Sequence, residues 1–229
     1  MKKLIPLFFL LVSFHSFGQV IHDESYLDLS FLKFKSDLLQ CVIAQDTTQL
    51  KSFLADRVFE SNDTCGYPGC TKEELISYYF TEGAEESWKD MLTILRFGFS
   101  RLIDENPDRI VPHDKTIFQG PSYLKNIDSE NELLILGENV NIRKQPSLNS
   151  EVLRTASYEV FKCDCNILTM TNETYQTVDG IDWIEIKLGD EKVGYVASKL
   201  TSYTLIKELT IAKVGGQWKI ISWYQSPGC

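Results

Sequence analysis

Apolar residues recur at three- and four-residue steps from Leu27 through Phe31, Phe34 and Leu38 to Val42. That spacing lines one face of a helix and predicts an amphipathic segment from about Tyr26 to Gln45. Asp46 or Thr47 can cap a second short helix carrying Leu50, Phe53 and Leu54, and Arg57 to Glu60 reads as a brief strand. Thr71-Lys72-Glu73-Glu74 has the form of a capping box, opening a helix with Leu75, Ile76, Tyr79 and Phe80 inward. Gly83 interrupts the pattern, and Ala84 to Phe97 resumes it through Trp88, Met91, Leu92 and Leu95.

Beyond Gly98 the period changes. Short runs around Leu102-Ile103, Arg109 to Val111 and Thr116 to Phe118 are separated by Pro107, Pro112 and Pro121, as edge strands and loops are. The polar run Asn126 to Glu132 reads as a linker. From Leu133 to Leu200 apolar and polar residues alternate in short strands, with Val140 and Ile142 inward and Asn141 and Arg143 outward. Leu205 to Val214 and Gln217 to Trp223 flank Gly215-Gly216, a two-residue hairpin signal because both positions favour positive φ. The pattern predicts helices with short strands up to about residue 130, a run of strands from Leu133 to Leu200, and a final hairpin within residues 201–229.

The first nineteen residues read as a targeting segment. Lys2 and Lys3 precede the apolar run Leu4 to Val12, and Ser16-Phe17-Gly18 offers small residues for cleavage near Gly18 or Gln19. The apolar run is too short for a membrane span of about 20 residues, so export to the periplasm or the exterior is expected, and no later segment is apolar enough to span. Cleavage would take the formal charge from −9 to −11, which disfavours nucleic acid and anionic lipid as partners. An even number of cysteines, 6, in an exported chain points to disulfides. Cys65 and Cys70 bracket the turn-forming Gly66-Tyr67-Pro68-Gly69 and are the best candidate pair. Cys163 and Cys165 share one face of a strand and are awkward partners for each other.

Val140-Asn141-Ile142-Arg143, followed by Pro146, Ser147, Asn149 and Ser150, then Trp183 to Ile186, Gly189 and Gly194-Tyr195-Val196, resembles the bacterial SH3-like domain of secreted and envelope proteins. Lys199-Leu200 matches the closing residues of that pattern. The chain departs from it in a long loop from Asp164 to Asp182 and in Lys144-Gln145 before the proline. Gly216, Trp218, Lys219 and Ile220 are similar to the last strand of the nuclear-transport-factor-like, or cystatin-like, α+β cone. The whole layout resembles exported proteins of Bacteroidetes-type bacteria. These resemblances imply an SH3-like barrel, residues 131–200, inserted in an α+β domain of residues 20–130 that the final hairpin, residues 201–229, completes; the alternative is that the hairpin extends the barrel.

What they imply about function is recognition of an envelope component, either a cell-wall peptide or a protein. Tyr158, Trp183 and Tyr195, with Gln145 and Asn149 in the neighbouring turn, are the candidate ligand-binding residues. Trp183 suits a core position better than the groove, while Tyr158 and Tyr195 suit packing and binding equally. No nucleophile–base pair, phosphate-cradling glycine loop or zinc-helix motif is present, so neither catalysis, metal nor cofactor is expected. Two other readings remain open at this level. In one, the α+β domain binds or hydrolyses a small molecule with the barrel as spacer; in the other, the protein is purely structural.

Overall fold

A computed structural model describes residues 22–60, 64–81, 84–106, 111–128, 131–164, 175–189, 192–202 and 207–225. The targeting segment, residues 1–19, with Cys165 and Cys229, lies outside the described residues.

Helix α1, Leu29–Ala44, starts at Asp28, whose carboxylate accepts from the amides of Ser30 at 2.8 Å and Phe31 at 3.1 Å. It stops at Gln45, which turns left-handed with φ 51°. Asp46 caps α2, Thr47–Phe53, by accepting from the Gln49 amide at 2.8 Å. Strand β1, Leu54–Glu60, begins three residues earlier than the apolar spacing suggests, because Leu54 pairs with Ile220 near the far end of the chain. The two-residue strand β2, Cys70–Thr71, leads into α3, Lys72–Tyr79. The capping box is present: the Glu74 amide donates to Thr71 Oγ1 at 3.2 Å, and the Thr71 amide donates back to Glu74 Oε2 at 2.8 Å. The Cys65–Cys70 disulfide is formed, with α-carbons 5.0 Å apart.

Helix α4, Glu85–Phe97, buries Trp88, Met91, Ile94 and Leu95. Gly98 ends it with φ 74°, where an added Cβ would lie 2.6 Å from the Asp23 side chain. Strands β3, Ser100–Ile103, and β4, Thr116–Gly120, follow. Then come β5, Glu132–Leu134; β6, Val140–Arg143; β7, Val152–Ala156; and β8, Val160–Lys162. The chain continues through β9, Tyr175–Val178; β10, Ile181–Gly189; and β11, Lys192–Ala197, to the hairpin β12, Lys207–Val214, and β13, Gln217–Gln225. Gly215 and Gly216 both hold positive φ, 58° and 80°, as the hairpin turn requires.

These elements build an α+β structure with two sheets. The first has the strand order β2-β1-β13-β12-β4-β3, antiparallel except where β1 runs beside β13. The final hairpin therefore lies in the same sheet as β1 and β4. The helices cover one side of it, and the space between is filled by Phe31, Phe80, Phe99, Phe118, Trp218 and Trp223. Phe31 stacks on Phe118 with centroids 3.7 Å apart and meets Phe99 and Trp218 edge-on. The Trp218 indole N–H donates to Ser30 Oγ at 2.9 Å, so this buried polar group is satisfied.

The second sheet has the order β5-β8-β10-β11-β6-β7, with β9 joined to the other part of β10. Pairing does not close this sheet into a barrel among the described residues: Ile135, beyond β5, bridges Thr201, and β7 leaves Val152 to Thr155 exposed. Its buried cluster contains Leu133, Val140, Ile142, Phe161, Ile184, Ile186 and Val196. The loop expected from Asp164 to Asp182 contains a strand, β9, which forms a hairpin with β10 through Asp179-Gly180. Cys163, buried in this cluster, is disulfide-bonded. No described helix is long and apolar enough to cross a membrane.

Phe97, Tyr123, Leu134 and Tyr158 pack together where the two sheets meet. Tyr123 is fully buried, its hydroxyl has no partner among the described residues, and burial, then the Glu208 carboxylate, raises its pKa above the usual phenol range. Burial also raises the Glu208 carboxyl, although a hydrogen bond from Gln119 at 2.5 Å opposes the shift. A carboxyl raised on folding opposes stability when ionised, so its cost grows as pH rises from the ordinary carboxyl range and is complete above the folded value. Glu208→Gln is therefore expected to raise stability at pH 7 by about 1 kcal/mol. Thermal melts at pH 7 and in mild acid check this: the gain should shrink in acid, and a variant less stable than wild type at pH 7 would contradict it.

Candidate functional site

Strand β10 has two unlike faces. Ile184 and Ile186 point into the buried cluster of the second sheet, while Trp183, Glu185 and Lys187 fall on the other face. Tyr195 on β11 pairs directly with Glu185, and Gln176 on β9 pairs with Trp183. Gly194 precedes Tyr195 because β6 comes close: a Cβ there would sit 2.6 Å from the Ile142 side chain. The glycine thus serves packing, and the tyrosine is delivered to the opposite face.

Asp164, Tyr175, Gln176, Trp183, Glu185, Lys187 and Tyr195 line an open cleft of about 210 Å³ on that face. The Tyr195 hydroxyl donates to Glu185 Oε2 at 2.6 Å. That hydrogen bond first, then burial, pushes the Tyr195 phenol up to about 12, so it stays a proton donor at neutral pH. Lys187 Nζ meets Asp164 Oδ1 at 2.7 Å in a pair whose side chains are 51% and 84% exposed.

Trp183 differs from the rest of the cleft. It is 2% exposed, yet its indole N–H has no acceptor among the described residues. A buried donor without a partner costs about 1–3 kcal/mol. The same group in Trp218 is bonded, so an unpaired indole N–H is not the rule in this chain.

Two of the five residues expected to bind, Trp183 and Tyr195, meet in the cleft. Gln145 and Asn149 are exposed on the turn after β6 and do not line it; their backbone amides are held by Ser150 Oγ at 2.9 Å and Ser147 Oγ at 3.2 Å. Tyr158 takes φ 51°, and its ring meets Phe97 edge-on at 6.0 Å in the packing between the sheets. Glu185, Lys187, Gln176, Tyr175 and Asp164 were not expected in the site. The alternation Trp183-x-Glu185-x-Lys187 carried the signal for two of them, since period-two residues share a face.

Other chemistry is sparse among the described residues. Among the described residues, no group of three or more His, Cys, Asp or Glu side chains is placed to hold a metal ion. Cys41, buried and free, has its thiol pushed up to about 11 by burial and the nearby Asp46, which leaves little nucleophilic thiolate. No protein-family model, curated protein or solved structure compared with the chain matches it.

Proposed function

We propose that the protein is an exported, non-catalytic binding protein whose second sheet is an SH3-like module, and that the cleft on β9, β10 and β11 receives a cell-envelope component, a cell-wall peptide or an envelope protein. The observation that carries the reading is that Trp183, which lines the polar cleft, holds its indole N–H buried without an acceptor among the described residues. A small outward shift of the ring brings this N–H to the cleft, where a peptide carbonyl supplies the partner and offsets the cost of an unpaired donor. The aromatic residues Tyr175 and Tyr195 provide contact area, and Gln176, Glu185 and Lys187 provide polar selection.

Two features support placing recognition here and not under the helices. The helix side of the first sheet is filled by Phe and Trp side chains. The ion pair in the cleft is solvent-exposed, so its members exchange partners at little cost. Co-sedimentation of the full chain with purified sacculi at moderate salt tests the wall-peptide form. The expected result is saturable retention; retention no greater than that of an unrelated acidic protein overturns it.

A further inference from the structure

The charged groups of the cleft stand in a fixed order, and each is held by a partner from within the chain. Glu185 accepts a hydrogen bond from the neutral Tyr195 phenol and pairs with no cation among the described residues. Lys187, on the same face of β10, is occupied by the carboxylate of Asp164, itself 84% exposed. An exposed pair of this kind is worth about 0–1 kcal/mol, so an incoming carboxylate displaces Asp164 at small cost. The bond from the phenol is already charge-assisted on its acceptor side, but an incoming ammonium adds a full positive charge beside a carboxylate that faces no cation among the described residues. The cleft therefore offers one site for a cation and one for an anion.

Their separation limits what can fill both. Residues two apart on one face of a strand are about 7 Å apart along it. The carboxylate and amino group of a single α-amino acid backbone are too close together to reach both sites. A side chain with a four-carbon stem carries its ammonium far enough from its own carboxylate to do so. Resting on the assignment of this cleft as the binding site, we propose that it selects a peptide ending in a diamino-acid residue, with the terminal carboxylate on Lys187 and the side-chain ammonium on Glu185. Asp164 and Tyr195 occupy those positions when no ligand is bound.

Three small probes separate the two charges: Nα-acetyl-lysine carries both, Nα-acetyl-norleucine only the carboxylate, and Nα-acetyl-lysine methylamide only the ammonium. Each is titrated into the isotopically labelled full chain while backbone amide shifts of β10 and β11 are followed by NMR. Nα-acetyl-lysine is expected to bind at least tenfold more tightly than either single-charge probe. Glu185→Gln should remove its advantage over Nα-acetyl-norleucine, and Lys187→Met its advantage over the methylamide. Both side chains are exposed, so neither variant threatens the fold. Equal affinity for the three probes, or a preference untouched by the variants, overturns the proposal. Retention on sacculi without a response to any probe also overturns it while leaving the binding reading standing; loss of both ends both.

Discussion

Trp183→Phe is expected to reduce retention on sacculi at least tenfold while leaving the melting midpoint within a few degrees of wild type. The two effects separate because of what the indole does in the free protein. Its N–H is buried without an acceptor, so removing it relieves a desolvation penalty of about 1–3 kcal/mol. The smaller phenyl ring leaves a void whose cost is of similar size and opposite sign. In the complex the same N–H gains its partner, and loss of that bond accounts for about tenfold, or 1.4 kcal/mol. Trp218→Phe provides the contrast. Its N–H is already bonded to Ser30 Oγ, so the variant should be less stable and bind unchanged. If Trp183→Phe were strongly destabilised and bound normally, Trp183 would be a structural residue and the cleft would lose its anchor.

The second large effect is expected at Asp23, where a short N-terminal turn is tied to the rest of the fold. Its carboxylate accepts from the Ser25 amide and hydroxyl, from Lys35 Nζ at 2.5 Å and from the Phe99 amide at 3.1 Å. Burial works against the charge, but the hydrogen bonds from Lys35, Ser25 and Phe99 outweigh it and hold the carboxyl below its usual range. The Asp23 side chain remains 39% exposed, so the pair is partly screened, and Asp23→Ala is expected to cost about 2 kcal/mol. A lowered folded value means this stability is present above the ordinary carboxyl range and is lost as pH falls through the folded value. Denaturant unfolding at pH 7 and at pH 3 should show the gap between wild type and variant narrowing in acid. An equal gap at both would locate the effect in packing and not in charge.

Local chemistry was the most readable part of the chain. The Thr71–Glu74 capping box, the Cys65–Cys70 pair and the Gly215-Gly216 turn each depend on residues a few positions apart, and each is formed. What depends on distant partners was harder to see. Leu54 continues the apolar spacing of α2 but belongs to β1, because its pairing with Ile220 outweighs helix propensity. Tyr175 to Val178 looked like part of a loop, since a strand of 4 residues carries little pattern of its own and is defined by its pairing with β10. The motif around Val140 and Ile142 marks core positions, as its alternation implies.

The site was half legible for a related reason. Trp183 and Tyr195 stood out by residue type, but a lone aromatic on a strand suits either face. Only the register places Tyr195 opposite Glu185, and Gln176 opposite Trp183. Tyr158 carries the same composition signal as Tyr195, yet its positive φ and its contact with Phe97 put it between the sheets. Burial of an unpaired indole N–H has no signature in sequence at all, because it is a statement about missing neighbours.

The most direct measurement is a binding isotherm of the full chain with soluble peptides released from sacculi, following the Trp183 indole N–H resonance. Saturable binding with a downfield shift of that resonance and slowed exchange of its proton is the predicted result. Saturable binding that leaves the Trp183 resonance unmoved would place recognition elsewhere on the molecule and contradict the assignment of the cleft.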